Sequence, residues 1–176
     1  MTTKLILTIS VAILVTAIAS GQNQNDEAAL MKKHLQYLTP RLDGRIAKMT
    51  ILFGDLNGDG VNDAFIDWCI EATENDQDVG GANALMFLKC VEEGFSVYMK
   101  TGNDYLLKAD KRKDNFNDEG FLYCADKIEN RKIICSSTSY AEDDPRCCPS
   151  LKRIFYLVFE NDEILKPGQK VKVIKQ

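Results

Sequence analysis

The residues of this chain best suited to chemistry are the oxygen-bearing side chains that alternate through residues 55–63, DLNGDGVND. They occupy positions 1, 3, 5 and 9 of the stretch, and a glycine at position 6 allows a sharp turn. This arrangement suits Ca²⁺, a hard cation that takes about six to eight oxygen ligands. A solvated turn is the alternative, because Asp, Asn and Gly also favour turns for local reasons. The spacing favours a calcium site with these ligands: Asp55, Asn57, Asp59, Asp63 and the main-chain carbonyl of Val61.

The residues around the loop distinguish it from an EF-hand. An EF-hand carries a bidentate Glu at position 12 between two helices, whereas position 12 here is Ile66. Apolar, strand-like segments precede and follow the loop, at 49–53 and 64–69. The sequence therefore predicts a calcium site between two strands.

The segment 53–64, FGDLNGDGVNDA, resembles the FG-GAP type calcium loop of integrin-like β-propellers. Those folds repeat the motif in successive blades, whereas this chain carries it once and is too short for a propeller. The resemblance therefore implies a calcium loop, without implying the propeller fold.

A second motif, DDPRCCPS, occupies residues 143–150, and a strand-like segment follows it at 154–159. This order resembles a class of small exported bacterial proteins, in which a GDxxGDGxxDA segment opens a β-rich domain and a DPxCCPS segment precedes a late strand. Many members of that class are lipoproteins, and this chain departs from them because it lacks the lipid-bearing cysteine near its start. The resemblance implies a β-rich, exported protein and implies no particular activity.

The first residues, 1–20, have the pattern of a secretory signal peptide. Lys4 provides the positive charge, 5–18 the apolar core, and 17–19 the small-residue cleavage pattern. A retained membrane anchor is the alternative, but the apolar run is shorter than the roughly 20 residues that span a bilayer. We therefore expect a signal peptide followed by one secreted or periplasmic domain at 21–176.

The charge of the chain limits its partners. The formal net charge is −4, and removal of the signal peptide with its single lysine makes it more negative. Nucleic-acid binding, which needs a concentrated basic face, is therefore not expected.

The acidic segment 74–81 is expected to be a surface loop, with a second cation site as the alternative. We expect no membrane span in the mature chain. The expected partner is an unidentified protein or envelope component, to which a sheet made rigid by calcium and disulfides would present its loops. A solvated face is expected for four C-terminal lysines: Lys166, Lys170, Lys172 and Lys175.

Six cysteines indicate an oxidising compartment and a framework of disulfides. Cys69 and Cys90 fall in neighbouring predicted strands, so we expect them to pair. A zinc site is less favoured, because the paired C-x-x-C spacing is missing.

The other four cysteines leave two pairing schemes open. Cys124 and Cys135 lie on the two arms of a predicted hairpin with its turn at 129–131, and they could pair with each other. Cys147 and Cys148 would then form a disulfide between adjacent residues. Alternatively, Cys147 and Cys148 bridge separately to the two hairpin cysteines.

The predicted fold is α+β, mainly β: a single domain of twisted antiparallel sheet with an N-terminal helix packed on it. The helix is predicted over 25–38, with Asn25 as its N-cap and Pro40 ending it. A turn is predicted at Glu93 and Gly94. Strands are predicted over 49–53, 64–69, 84–91, 95–100, 105–109, 121–128, 132–140 and 154–160.

The sequence offers few catalytic groups. His34 is the only histidine and lies beside the apolar stripe of the helix, so we expect an ordinary half-buried residue. The cysteines are expected to be oxidised and therefore not nucleophilic. Asp143 with Asp144 is one of many carboxylate pairs, and a glycosidase needs such a pair.

These observations predict a calcium-binding, disulfide-stabilised β-rich domain that is not an enzyme and that binds an envelope or extracellular partner. The alternative is a calcium-dependent hydrolase that acts on an extracellular polymer and uses Asp55 or Asp63.

Overall fold

A computed structural model describes residues 24–72, 90–113, 123–139, 141–144, 150–167 and 172–175. The expected signal peptide at 1–20, the whole acidic segment at 74–81 and the cysteines Cys147 and Cys148 lie outside these ranges. Within them, no helix is long and apolar enough to cross a membrane.

The described residues form one helix and nine strands. The helix is α1 (Gln24–Leu42), and the strands are β1 (Ala47–Gly54), β2 (Asp63–Glu71), β3 (Cys90–Thr101), β4 (Asp104–Arg112), β5 (Cys124–Glu129), β6 (Lys132–Ser139), β7 (Leu151–Glu160), β8 (Glu163–Leu165) and β9 (Lys172–Lys175). The two short strands β8 and β9 were not predicted from the sequence.

The strands form two antiparallel sheets. The first has the order β1-β2-β3-β4, and the second has the order β5-β6-β7 with β8 and β9 both paired to β7. The expected α+β, mainly β class is confirmed, although two sheets take the place of the single predicted sheet. The 55–62 loop joins β1 to β2, where Gly54 is paired with Asp63.

The first sheet lies between the helix and the second sheet, so both of its faces are buried. On the helix side, Leu30, His34 and Leu38 recur every fourth residue and pack against buried side chains such as Trp68. On the other side, Phe65 and residues of the second sheet form a separate core. This explains why consecutive residues of β2 are buried on both faces, instead of buried and exposed residues alternating strictly.

The helix continues beyond its predicted end. Pro40 lies inside α1, which ends at Leu42. A proline in the last turn removes few helical hydrogen bonds. The same turn is attached to the sheet, because Tyr37 and Arg41 both donate hydrogen bonds to Asp110 Oδ2, at 2.9 and 3.1 Å.

The turn predicted at Glu93 and Gly94 was wrong, because β3 passes through both residues without interruption. Gly94 instead provides space for the indole of Trp68. A Cβ at this position would lie 2.4 Å from Trp68 Cζ2 and 2.8 Å from the carbonyl oxygen of Lys111. The glycine therefore allows close packing within the sheet.

The structure decides two of the cysteine predictions. Cys69 and Cys90 form the predicted disulfide, with their Cα atoms 5.5 Å apart. A bridge between Cys124 and Cys135 is not formed, and both are free thiols. Because Cys135 pairs with Ala125 in the hairpin register, Cys135 points into the core while Cys124 lies on the opposite, exposed face.

Candidate metal centre

The candidate ligands are positioned by a loop that wraps around Asp55. Gly58 N donates a hydrogen bond to Asp55 Oδ1 at 2.5 Å, and Gly60 N donates to Asp55 Oδ2 at 3.0 Å. Both glycines have positive φ, 88° at Gly58 and 81° at Gly60, a region that a side chain disfavours. The sharp turn predicted at Gly60 is therefore present.

The next two candidate ligands bind one another and the loop backbone. Asn57 Oδ1 accepts a hydrogen bond from Asp59 N at 2.9 Å, and Asp59 Oδ1 accepts one from Val61 N at 2.7 Å. The Asn57 side-chain amide donates to Asp59 Oδ2 at 2.9 Å. Each accepting oxygen keeps a further lone pair with which it can bind a cation. The side chain of Val61 is 41% exposed, so this position is not held by core packing.

Asp63 lies at the base of the loop and is fully buried. Its Oδ2 accepts a hydrogen bond from Leu56 N, and its Oδ1 accepts one from Lys100 N on β3, both at 3.1 Å. Burial raises the pKa of the Asp63 carboxyl, the two hydrogen bonds oppose this rise, and the charges of Asp59 and Asp55 add to it. A buried carboxylate is therefore held in a fixed position close to two like charges.

The pKa of Asp55 is lowered, first because Gly58 N donates to it, and further by the hydrogen bond from Gly60 N and by the charge of Arg131. The ionised form that a cation requires is thus favoured at this position. All the candidate donors are oxygens, which suit Ca²⁺ better than a soft metal.

The carboxylates are not gathered into a tight cluster. Across the described residues, no group of three or more His, Cys, Asp or Glu side chains is close enough to hold a metal ion. The loop brings Asp55, Asn57 and Asp59 together through its own hydrogen bonds, and Asp63 lies beneath them. A cation would therefore have to draw these oxygens inward, at the expense of contacts such as the Asn57–Asp59 hydrogen bond.

An open cleft of about 680 Å³ adjoins the loop, and Arg131 on the β5–β6 turn lines it together with Asn57 and Asp59. The guanidinium of Arg131 lies against the loop, since a Cβ built on Gly58 would be 3.2 Å from its central carbon. The sequence located the turn but gave no signal for this contact, which arises from the packing of the two sheets.

His34 is more deeply buried than expected. It has no exposed surface, its Nδ1 lies 2.9 Å from the hydroxyl oxygen of Tyr98, and its ring stacks on Tyr37 with centroids 5.6 Å apart. Burial lowers the pKa of His34 from 6.5 to about 4. These contacts suit a neutral core residue better than a solvent-facing general base.

Of the carboxylate pair at 143 and 144, Asp144 has a structural role. Its Oδ2 accepts hydrogen bonds from Ala141 N and Ser150 N, each at 2.6 Å, while Asp143 is exposed. Asp144 therefore holds the two ends of the 141–150 segment together. The remainder of the DPRCCPS motif, 145–149, lies outside the described residues.

A largely buried ion cluster joins the two sheets. Lys113 Nζ lies 2.8 Å from Asp67 Oδ1 and 3.3 Å from Glu93 Oε2, and it donates to the carbonyl of Tyr123 at 2.7 Å. Asp67 Oδ2 accepts a hydrogen bond from Ala125 N at 2.9 Å. Burial raises the pKa of Asp67, and the charge of Lys113 opposes the rise. This perturbed carboxylate lies between packed sheets beside its counter-ion, so the arrangement indicates a structural role.

Comparison of the chain with protein-family models, with curated proteins and with solved structures finds no match in any of the three.

Proposed function

We propose that this protein is a secreted or periplasmic, non-catalytic binding protein whose 55–63 loop binds Ca²⁺. The side chains of Asp55, Asn57, Asp59 and Asp63 and the carbonyl of Val61 would hold the ion. The main support is Asp63, a carboxylate without exposed surface, fixed by two backbone N–H groups next to two further carboxylates.

The charges around Asp63 explain why a cation would be bound. Burial and like charges both disfavour an ionised carboxylate, and hydrogen bonds from neutral amides offset only part of that cost. Bound Ca²⁺ would supply the missing positive charge and link the loop oxygens to one another. The loop would then be more rigid and the end of the first sheet more stable.

The position of the loop suggests what calcium would do for the domain. The loop joins β1 to β2, and the hydrogen bond from Lys100 N to Asp63 connects its base to β3. Calcium would therefore stabilise the end of the first sheet that carries the loop, and this end would present its surface to a protein or envelope component. Export is supported by the signal-like segment at 1–20 and by the Cys69–Cys90 disulfide, a bond typical of oxidising compartments.

The experiment is thermal and urea unfolding of the mature protein in calcium and in chelator. Ligand binding to the folded state alone stabilises by about 1.4 to 2.7 kcal/mol at ten- to hundredfold excess over Kd. Extracellular calcium modules have Kd of about 10⁻⁴ to 10⁻³ M, so about 10 mM calcium should give this gain. Asp59→Ala should abolish it, whereas Glu142→Ala, at an exposed turn, should retain it. Identical unfolding curves in calcium and in chelator would show that the loop is only a turn.

A further inference from the structure

The cleft beside the loop is built by turns from both sheets. The calcium loop contributes Asn57 and Asp59, the end of β3 contributes Thr101, and the β7–β8 turn contributes Asn161 and Asp162. Arg131 projects from the β5–β6 turn on the same side. Met99 and Phe159, both nearly buried, supply apolar surface within the otherwise polar cleft.

Arg131 is the cation available to a ligand in this cleft. Of the other two, Lys100 is paired with Asp26 at 3.0 Å, and Lys108 lies 3.8 Å from Asp162. Arg131 makes no hydrogen bond or ion pair with any residue that the structure describes. Its position is nevertheless defined, because Asn130 and Arg131 have φ of 51° and 62° in a two-residue hairpin turn and the guanidinium packs on Gly58.

The chemistry of the lining restricts the class of ligand. A planar guanidinium binds carboxylate or phosphate through two parallel hydrogen bonds. The nearby carboxylates of Asp59, Glu160 and Asp162 would repel a doubly charged phosphate more strongly than a singly charged carboxylate. The same carboxylates, with the amides of Asn57 and Asn161, are partners for hydroxyl groups. The lining thus suits a carboxylate surrounded by hydroxyls, as in a uronic acid.

We propose that this cleft binds a uronate-containing oligosaccharide and that Arg131 holds the sugar carboxylate. The binding itself depends on the cleft, but its calcium dependence rests on the proposed function of the loop. Calcium held by the loop would offset the negative charge of Asp55 and Asp59 next to Arg131. The repulsion felt by the sugar carboxylate would then be smaller, and the affinity higher.

The test is isothermal titration calorimetry of the mature protein with trigalacturonate, in calcium and in chelator. Neutral galactotriose is the matched ligand control, and inorganic phosphate tests for a general anion site. Arg131→Gln should weaken trigalacturonate binding by about tenfold or more, and Arg131→Lys, which keeps the charge but loses the fork, should give an intermediate loss. Lys172→Gln on β9, outside the cleft, removes a charge of the same sign and should have no effect.

Several results would overturn the assignment: no trigalacturonate binding in calcium, equal binding of galactotriose, tighter binding of phosphate, or unchanged binding by Arg131→Gln. Unfolding curves of each variant establish that it is folded. A protein that calcium stabilises but that fails to bind trigalacturonate would refute the cleft and leave the calcium loop standing. Binding that is identical in calcium and in chelator would support the cleft and contradict its coupling to the loop.

Discussion

Two aspartates on β2, four residues apart, meet their electrostatic requirements in opposite ways: Asp63 has no exposed surface, and Asp67 is nearly buried. Asp67 has a counter-ion within the chain, since Lys113 Nζ lies 2.8 Å away and Ala125 N donates to its other oxygen. Asp63 accepts two backbone hydrogen bonds, and the charges that most affect it are those of Asp55 and Asp59, which are of its own sign. Burial raises the pKa of both carboxyls.

The difference separates a structural carboxylate from a candidate ligand. A buried charge that is paired inside the protein holds elements together. Here Asp67 lies in the first sheet and Lys113 directly follows its last strand, and each also binds a main-chain group at the start of the second sheet, Ala125 N and Tyr123 O respectively. A buried carboxylate whose neighbours repel it gains from a cation taken from solution. We therefore expect Asp67 to stabilise the fold at all calcium concentrations, and Asp63 to add stability only when calcium is bound.

The largest effect is expected from breaking the internal pair. Lys113→Met removes the counter-ion and leaves the Asp67 carboxylate buried beside Glu93, at a cost of roughly 3–5 kcal/mol. Urea unfolding with and without calcium measures this cost. The increment given by calcium should remain, because Asp63 is unchanged.

The control for this prediction is the double variant Asp67→Asn with Lys113→Met. The amide oxygen can still accept the hydrogen bond from Ala125 N, and no unpaired charge remains at that position, so much of the lost stability should return. A double variant as unstable as Lys113→Met would contradict the view that the pair acts through charge.

The next largest effect concerns His34, a buried titratable group kept neutral by burial instead of by a counter-ion. Its pKa is lowered from 6.5 to about 4 by burial, which the Asp110 charge opposes and the Arg41 charge reinforces. The unfolded chain therefore binds the proton first, and stability present above pH 6.5 is lost as the pH falls towards 4, by up to about 3 kcal/mol. His34→Leu should flatten this slope, measured as the difference between the two unfolding profiles. Parallel profiles would show that His34 is not the group responsible.

Features that depend on local spacing were predicted from the sequence. The alternation of oxygen donors in 55–63 and the glycine at position 6 are contained in nine residues, and the loop closes around Asp55 as that spacing requires. The pairing of Cys69 with Cys90 followed from the adjacency of two strands. The hairpin turn at 130 and 131 followed from turn chemistry.

Features that depend on packing between distant segments were not predicted. Nothing near Asp67 in sequence indicates Lys113 as its partner, because the pair forms only when β2 meets the residue that follows β4. Glycine is common in turns, so the sequence favoured a turn at Gly94. Only the position of Trp68, whose indole leaves no room for a Cβ, explains why Gly94 lies in a strand. The contact of Arg131 with the loop likewise requires both sheets to be in place.

The smallest effect on stability, and the most direct test of the comparison, is expected from Asp63→Asn. In chelator the substitution removes a charge that burial and its neighbours disfavour, and this gain opposes the cost of leaving one backbone N–H, that of Leu56 or Lys100, facing the amide NH2 instead of an oxygen. The free energy of unfolding should therefore change by less than about 1 kcal/mol. In calcium the variant should show none of the gain of the unmutated protein, because a ligand charge is missing.

Asp67→Asn is the matched change on the same strand, and we expect the opposite pattern of stability in chelator and response to calcium. It deprives buried Lys113 of its nearest carboxylate, so stability should fall by about 2 kcal/mol in chelator, and the increment given by calcium should remain. Urea unfolding of both variants in both solutions gives the four values needed. If Asp63→Asn lost stability in chelator as Asp67→Asn does and kept its calcium response, Asp63 would have a structural role like that of Asp67. Asp63 would then not be a calcium ligand.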